Sequence, residues 1–197
     1  MRKRDQIVPI ILAAGSSRGL PFPKALAPFG GKAAVDIAVE NCRYIGRPMV
    51  VLGSDADRIR GRVPSAAKTV INRNWRRGQL SSLCCALKRM PKGAAFLIYP
   101  VDLPMLRRVT LQRLVRAFRG RNAPEEIVMP RHRGKYGHPV IVSAAVRNEF
   151  FTAKTARDVI YRLPRRIRIV EVHTGAIYED FRTLVSYRKC LRRFRMT

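Results

Sequence analysis

Two hydrophobic patterns alternate along the chain. Short, almost continuous apolar runs recur at Ile7 to Ala13, Pro48 to Leu52, Thr69 to Ile71, Ala94 to Val101, Ile127 to Met129 and Val140 to Val142, and Ile167 to Val172 reads as a strand alternating Ile, Ile and Glu with Arg and Val. Runs that leave no face polar predict strands covered on both sides, as in a parallel sheet. Between them lie segments of helical spacing. Lys32 to Arg43 sets Ala34, Ile37, Ala38 and Cys42 on one face, and Gln79 to Met90, Thr110 to Phe118 and Thr155 to Arg162 read as further helices. Ser54 and Asp55 suit the cap of a short helix after the second strand, and Thr110 suits the cap of its own. Alternating strands and helices predict an α/β domain with a largely parallel sheet. Phe181, Leu184, Val185, Leu191 and Phe194 recur at helical spacing and predict a terminal helix docked on the domain rather than on a membrane surface. No repeat, low-complexity segment or linker divides the chain, so residues 1–197 read as one domain.

Composition narrows the class. A chain of 197 residues, 47% hydrophobic, is long enough for one proper core. No apolar run approaches the length of a membrane span. Met1-Arg2-Lys3-Arg4 followed by Val8 to Ala14 superficially imitates a signal peptide. Its apolar part is short, is broken by Pro9 and runs directly into a glycine loop, so no signal is expected. Cys42, Cys84, Cys85 and Cys190 form no C-x-x-C pair, which suits small core or half-buried residues of a reduced, cytoplasmic protein rather than a zinc site. The formal net charge of +27 favours anionic partners without identifying them, and a compositional habit of the host explains it equally well. The basic runs carry no recognised nucleic-acid motif and no interleaved aromatics, so no nucleic-acid partner is expected.

Candidate chemistry begins where the first strand ends. Leu12-Ala13-Ala14-Gly15-Ser16-Ser17-Arg18 leads to Pro23-Lys24. Small residues after a strand let the backbone approach a ligand, and free N–H groups there can cradle phosphate oxygens. Arg18 and Lys24 set two cations nearby, although an ordinary strand-to-helix turn with two solvated bases fits the same residues. Asp102 follows the strand Ala94 to Val101. In an open α/β sheet it falls on the same edge as the glycine loop, beyond the carboxyl ends of the strands. A carboxylate beside a triphosphate site suits Mg²⁺, which uses few protein ligands plus phosphate oxygens. The alternative for Asp102 is a plain Asp-x-Pro turn.

Five segments in order resemble the MobA-like nucleotidyltransferases, and among them the molybdenum cofactor cytidylyltransferase branch. They are the loop Leu12 to Lys24; Asn72, Trp75, Gly78, Ser81, Ser82 and Leu83; Asp102-Leu103-Pro104; Gly137-His138-Pro139; and Asp180-Phe181-Arg182-Thr183. The loop lacks the family's Met-Gly after Arg18 and has one extra residue before Lys24. The resemblance spans about residues 7–190 and implies a single three-layer α/β/α domain with a mostly parallel, mixed sheet, Rossmann-like and of the GT-A type.

The resemblance also implies a reaction: a phosphate of a pterin attacks the α-phosphate of a nucleotide, with pyrophosphate leaving. Lys24 would neutralise charge at the α-phosphate, Arg18 would hold the β- and γ-phosphates, and Asp102 would bind Mg²⁺ with Asp180 as a second carboxylate. Leu12, Ala13, Ala14, Gly15, Ser16, Ser17, Asn72, Ser81 and Ser82 would surround the nucleotide, and Gly137, His138 and Pro139 the acceptor. Ala13-Ala14 resembles the cytidylyl branch, so CTP is favoured and molybdopterin is the expected acceptor. A molybdoenzyme or its chaperone is the implied protein partner. Arg182 stands where the family has a second Asp, and Thr152-Ala153 stands where it has Gly-Asp. Those departures leave two alternatives open: a sugar phosphate or other phosphorylated acceptor, and a non-catalytic cofactor carrier.

Overall fold

The computed structural model describes residues 6–196, so Met1 to Arg4 of the signal-like start lie outside the described residues. The first half of the chain contains β1 (Ile7–Ala13), β2 (Pro28–Phe29), β3 (Lys32–Ala33), α1 (Ala34–Cys42), β4 (Met49–Leu52), α2 (Ala56–Arg60), β5 (Lys68–Ile71), α3 (Gln79–Leu87) and β6 (Ala95–Pro100). The second half adds α4 (Arg108–Arg119), β7 (Ile127–His132), β8 (Lys135–Tyr136), β9 (Val140–Val142), α5 (Ala156–Ile160), β10 (Ile167–Glu171) and α6 (Leu184–Arg195).

The main sheet has eight strands, ordered β10-β7-β9-β6-β1-β4-β5, with β8 paired to β7. The pairs β1 with β4, β1 with β6, β4 with β5, and β7 with β10 are parallel; β9 runs against both β6 and β7. The carboxyl ends of β1, β4, β5, β6, β7 and β10 therefore meet at one edge. Because β9 is reversed, its amino end joins them, which brings the segment before Val140 to the same place.

Strict alternation between two cores explains why the central strands β1, β4 and β9 are apolar throughout. In β1, Ile7, Ile11 and Ala13 face one core, while Val8, Ile10 and Leu12 face the other. The first core is capped by α1, α4 and α6, and the second by α3, α5 and the 3-10 turns of Ala144–Phe151. The result is the expected three-layer α/β/α arrangement.

Boundaries differ from the sequence expectation at several points, each with a local cause. The helix expected from Lys32 starts at Ala34, because Gly30 and Gly31, with φ of 55° and 82°, turn the chain between β2 and β3 and keep Lys32 and Ala33 in a hairpin. Thr110 does not cap α4. Arg107 holds that position, and Thr110 is buried one turn inside the helix. Helix α3 ends at Leu87, short of Met90. In α6 the buried positions are Tyr187 and Cys190, whereas Val185 is 78% exposed and Leu184 36%. An aromatic cluster holds α6: Phe29 lies 5.3 Å from both Phe181 and Tyr187 and 5.5 Å from Phe194, and the Tyr187 hydroxyl donates to the Pro28 carbonyl at 2.8 Å. The four cysteines carry free thiols; burial pushes the Cys42 thiol far above its usual range.

Candidate active site

A cleft of about 750 Å³ opens along the carboxyl edge of the sheet. The loop after β1 forms one wall. Leu12, Ala13, Ala14, Gly15, Ser16 and Ser17 all line it. Its shape is set by close backbone packing. Ala14 accepts a hydrogen bond from the Ser54 N–H at 3.0 Å, and Leu12 accepts one from the Val101 N–H at 3.1 Å. The Ser17 hydroxyl accepts from the Lys24 N–H at 2.9 Å and closes the loop. At Gly15 a Cβ would meet no atom within 4 Å, so this stretch of backbone borders open space.

Lys24 and Asp102 meet in the cleft. The Lys24 ammonium donates to Asp102 Oδ2 at 3.3 Å, across 78 residues of sequence. Strand β6 ends at Pro100, so Val101 separates it from Asp102. Burial pushes the Asp102 carboxyl above its usual range; Lys24 opposes that shift, and the charge of Asp180 adds to it. Asp180 lines the same cleft and is held by Arg182, which donates to its Oδ2 at 2.9 and 2.7 Å. The neighbouring Phe181, fully buried in the aromatic cluster, fixes the chain that presents Asp180.

This donor set fits a divalent cation of the Mg²⁺ type. Two carboxylates face one cleft, the charge of Asp180 adds to the cost of ionising Asp102, and a cation beside them would offset that cost. Among the described residues no group of three or more His, Cys, Asp or Glu gathers as a metal cage. Mg²⁺ does not need one, since it takes one or two carboxylates and completes its shell with phosphate oxygens and water.

The opposite wall holds the segment before β9. Gly137 packs so tightly on the Ile177 carbonyl that a Cβ there would overlap it. The His138 N–H donates to that same carbonyl at 2.7 Å. His138 lines the cleft with its Nδ1 buried and without a hydrogen-bond partner. Desolvation lowers its pKa to about 4, against the opposing effects of a backbone hydrogen bond at Ile98 and the charge of Asp180. The imidazole is therefore neutral near pH 7.

Other expected residues lie elsewhere. Pro139 does not line the cleft, whereas Val140 does. Asn72 is buried and turned inward: its amide donates to Ser81 Oγ at 2.9 Å and Ser82 Oγ at 3.0 Å, and its carbonyl accepts from the Asn74 N–H at 3.0 Å. With its donors and acceptor used, Asn72 shapes the turn into α3, and Ser81 closes it on the carbonyls of Asn74 and Gly78. Of that trio only Ser82 reaches the cleft wall. Arg18 is exposed on the turn beyond the loop, off the cleft wall.

Sequence reasoning missed several contributors. Arg76, Arg157 and Arg182 join Lys24 as cations on the cleft, and Tyr136, Tyr161 and Tyr178 give its far wall an aromatic surface. Tyr136 and Tyr161 lie 6.2 Å apart, with the Arg157 guanidinium 5.7 Å from the Tyr161 ring. The available signal for Arg157 was Thr155, whose hydroxyl and Asp158 cap α5 reciprocally and fix which residues follow.

Comparison with known proteins gives the family and the fold. The chain is 29% identical over 120 residues to the bifunctional protein GlmU of Chromobacterium violaceum, a match covering 59% of this chain and 26% of that protein. The chain thus spans about a quarter of that relative's length. It is 30% identical over 187 residues to nicotine blue oxidoreductase of Paenarthrobacter nicotinovorans, covering 89% of this chain and 91% of the relative. Among solved structures, Rv0371c of Mycobacterium tuberculosis H37Rv superposes with a TM-score of 0.83 at 23% identity, covering 96% of this chain and 100% of that one; a manganese complex of the same protein superposes at 0.79. The family model for the MobA-like NTP transferase domain matches residues 9–168, and the chain belongs to that family.

Proposed function

We propose that the chain is a divalent-metal-dependent nucleotidyltransferase that moves CMP from CTP to a phosphorylated acceptor, with molybdopterin as the favoured acceptor and pyrophosphate as the second product. The observation that carries this reading is the meeting of Lys24 with Asp102 at 3.3 Å, on the cleft side of a loop whose backbone borders open space at Gly15. Catalysis of this type is mainly positioning and charge stabilisation. The loop Leu12 to Ser17 orients the triphosphate. Lys24 would neutralise the charge that builds on the α-phosphate; Arg18, exposed and off the cleft wall, would meet the outer phosphates only where they extend beyond the cleft. Asp102 and Asp180 would hold Mg²⁺ or Mn²⁺, which when bound supplies positive charge to the phosphate oxygens. Ser82 faces the nucleotide, while Asn72 and Ser81 position it. The aromatic wall of Tyr136, Tyr161 and Tyr178, with Arg157 and neutral His138, suits a flat, anionic acceptor such as a pterin phosphate. Ala13 and Ala14, both on the cleft wall, support the smaller pyrimidine.

The test is a transfer assay with CTP, Mg²⁺ and molybdopterin, read as pyrophosphate and dinucleotide formed. Asp102→Asn should fold and lose on the order of a hundredfold or more of the rate. Full activity in that variant would contradict the metal assignment. Transfer to a sugar phosphate but not to the pterin would replace the acceptor and keep the chemistry. The likeness to an oxidoreductase along nearly its whole length favours a second reading, in which the cleft binds its nucleotide without transferring it. That reading, like the cofactor-carrier reading, requires binding with no pyrophosphate release from any acceptor.

A further inference from the structure

The single tryptophan of the chain, Trp75, opens a 3-10 turn, Trp75–Arg77, between β5 and α3. It packs against the second core and still lines the cleft, as Arg76 does. Gly53, just after β4, decides how near Trp75 sits to the loop after β1. A Cβ on Gly53 would lie 2.6 Å from the Trp75 Cβ, 2.5 Å from the Ala14 carbonyl oxygen and 2.9 Å from the Ala14 Cβ. Trp75 and Ala14 both close on Gly53, and only glycine leaves them room. The turn itself is held. The Gly78 N–H donates to the Trp75 carbonyl at 3.1 Å, and the Arg77 N–H to the Asn74 carbonyl at 3.0 Å. Asn72 accepts from the Asn74 N–H and Ser81 donates to the Asn74 carbonyl, so these inward-turned side chains fix the residue directly before Trp75.

The Arg76 guanidinium lies over the Trp75 indole, its Cζ 4.7 Å from the ring centroid. A cation so placed is attracted by the ring quadrupole, and indole is the best of the aromatic partners. Arg76 is exposed and has no ion pair among the described residues, so the indole is what orders its long side chain. An ordered guanidinium is flat and weakly hydrated, and it stacks on other flat π systems. Its place along the cleft matters as well. Trp75 sits beside the loop at Ala14, whereas Lys24 meets the loop at Ser17 and reaches Asp102. The loop thus runs from a flat cationic surface at one end to the Lys24–Asp102 pair at the other. A nucleotide has the same layout, with a flat ring at one end, a sugar, and phosphates at the other.

We propose that Trp75 and Arg76 form the platform for the nucleobase: the flat ring of the bound nucleotide stacks on the Arg76 guanidinium, which the indole beneath holds in place. The proposal rests on the reading of the cleft as a nucleotide site, and it names Arg76 as a binding residue and Trp75 as a positioning residue. The test titrates the full chain by calorimetry with CTP and with inorganic tripolyphosphate, each with Mg²⁺, in the parent and in Arg76→Lys. The variant keeps the charge and loses the flat group, and the exposed position of Arg76 should leave the fold intact. Arg76→Lys should weaken CTP by about tenfold and leave tripolyphosphate unchanged. In the parent, CTP should alter the fluorescence of Trp75, the one indole of the chain, and tripolyphosphate should not. Equal losses for the two ligands would reduce Arg76 to a plain charge and overturn the platform. An unchanged CTP affinity in the variant, or Trp75 emission indifferent to bound CTP, would overturn it too, and each of these results leaves the nucleotide reading standing. A parent that binds no nucleotide would overturn that reading and the platform with it.

Discussion

At Gly15 the backbone lines the cleft, yet an added Cβ would touch nothing within 4 Å. Such a glycine is not required by packing, so its substitution separates folding from binding. Gly15→Val should change stability by less than about 1 kcal/mol while weakening triphosphate binding by roughly tenfold; thermal melting and calorimetry read the two effects. His138 makes a pH prediction. Its pKa of about 4 lies below the usual 6.5, so the unfolded chain takes up a proton that the folded chain refuses. Stability tied to His138 is therefore complete above about pH 6.5 and is lost as pH falls toward 4, by roughly 3 kcal/mol. Chemical denaturation across that window should show a shallower loss for His138→Gln than for the parent. Asp102 has the opposite sign: its raised pKa makes ionisation cost stability as pH rises through the carboxylate range. At this scale the sequence revealed the loop and Asp102, because both follow strands whose ends share an edge. It did not reveal that Asn72 turns inward, since an amide with two serines nearby at hydrogen-bonding spacing can satisfy itself as readily as a ligand.

The central strands were legible as elements because burial on both faces leaves β1, β4 and β9 wholly apolar, and β1 matches its expected bounds residue for residue. The hairpin of β2 and β3 was not, because two-residue strands have no periodicity to read; Gly30-Gly31 was the available signal. In α6 the apolar residues Leu184 and Val185 mimic a buried face, while the packing is set by Tyr187 and Cys190. Packing between elements also decides the wall of the cleft before β9. Gly137 lies against the Ile177 carbonyl, in the turn that leads to Asp180. Gly137→Ala should push the two segments apart and destabilise the fold by about 1–3 kcal/mol, measured by chemical denaturation. An unchanged midpoint would show that this contact does not hold the wall in place.

Across the whole molecule, the reversed strand β9 within a largely parallel sheet brings three remote segments to a single edge: the loop after β1, Asp102 after β6, and His138 before β9. The sequence expressed these as motifs in order, and the topology explains why order along the chain becomes proximity in space. A net charge of +27 surrounds that edge and favours any polyanion, so selectivity must come from the cleft rather than from the global field. Calorimetric titration of CTP, GTP, ATP and UTP, each with and without Mg²⁺ at physiological salt, tests this most directly. CTP should bind in preference to the others, and only with Mg²⁺. Binding that ignores Mg²⁺, or that fails for all four nucleotides, would contradict the account of the cleft as a metal-dependent nucleotidyltransferase site.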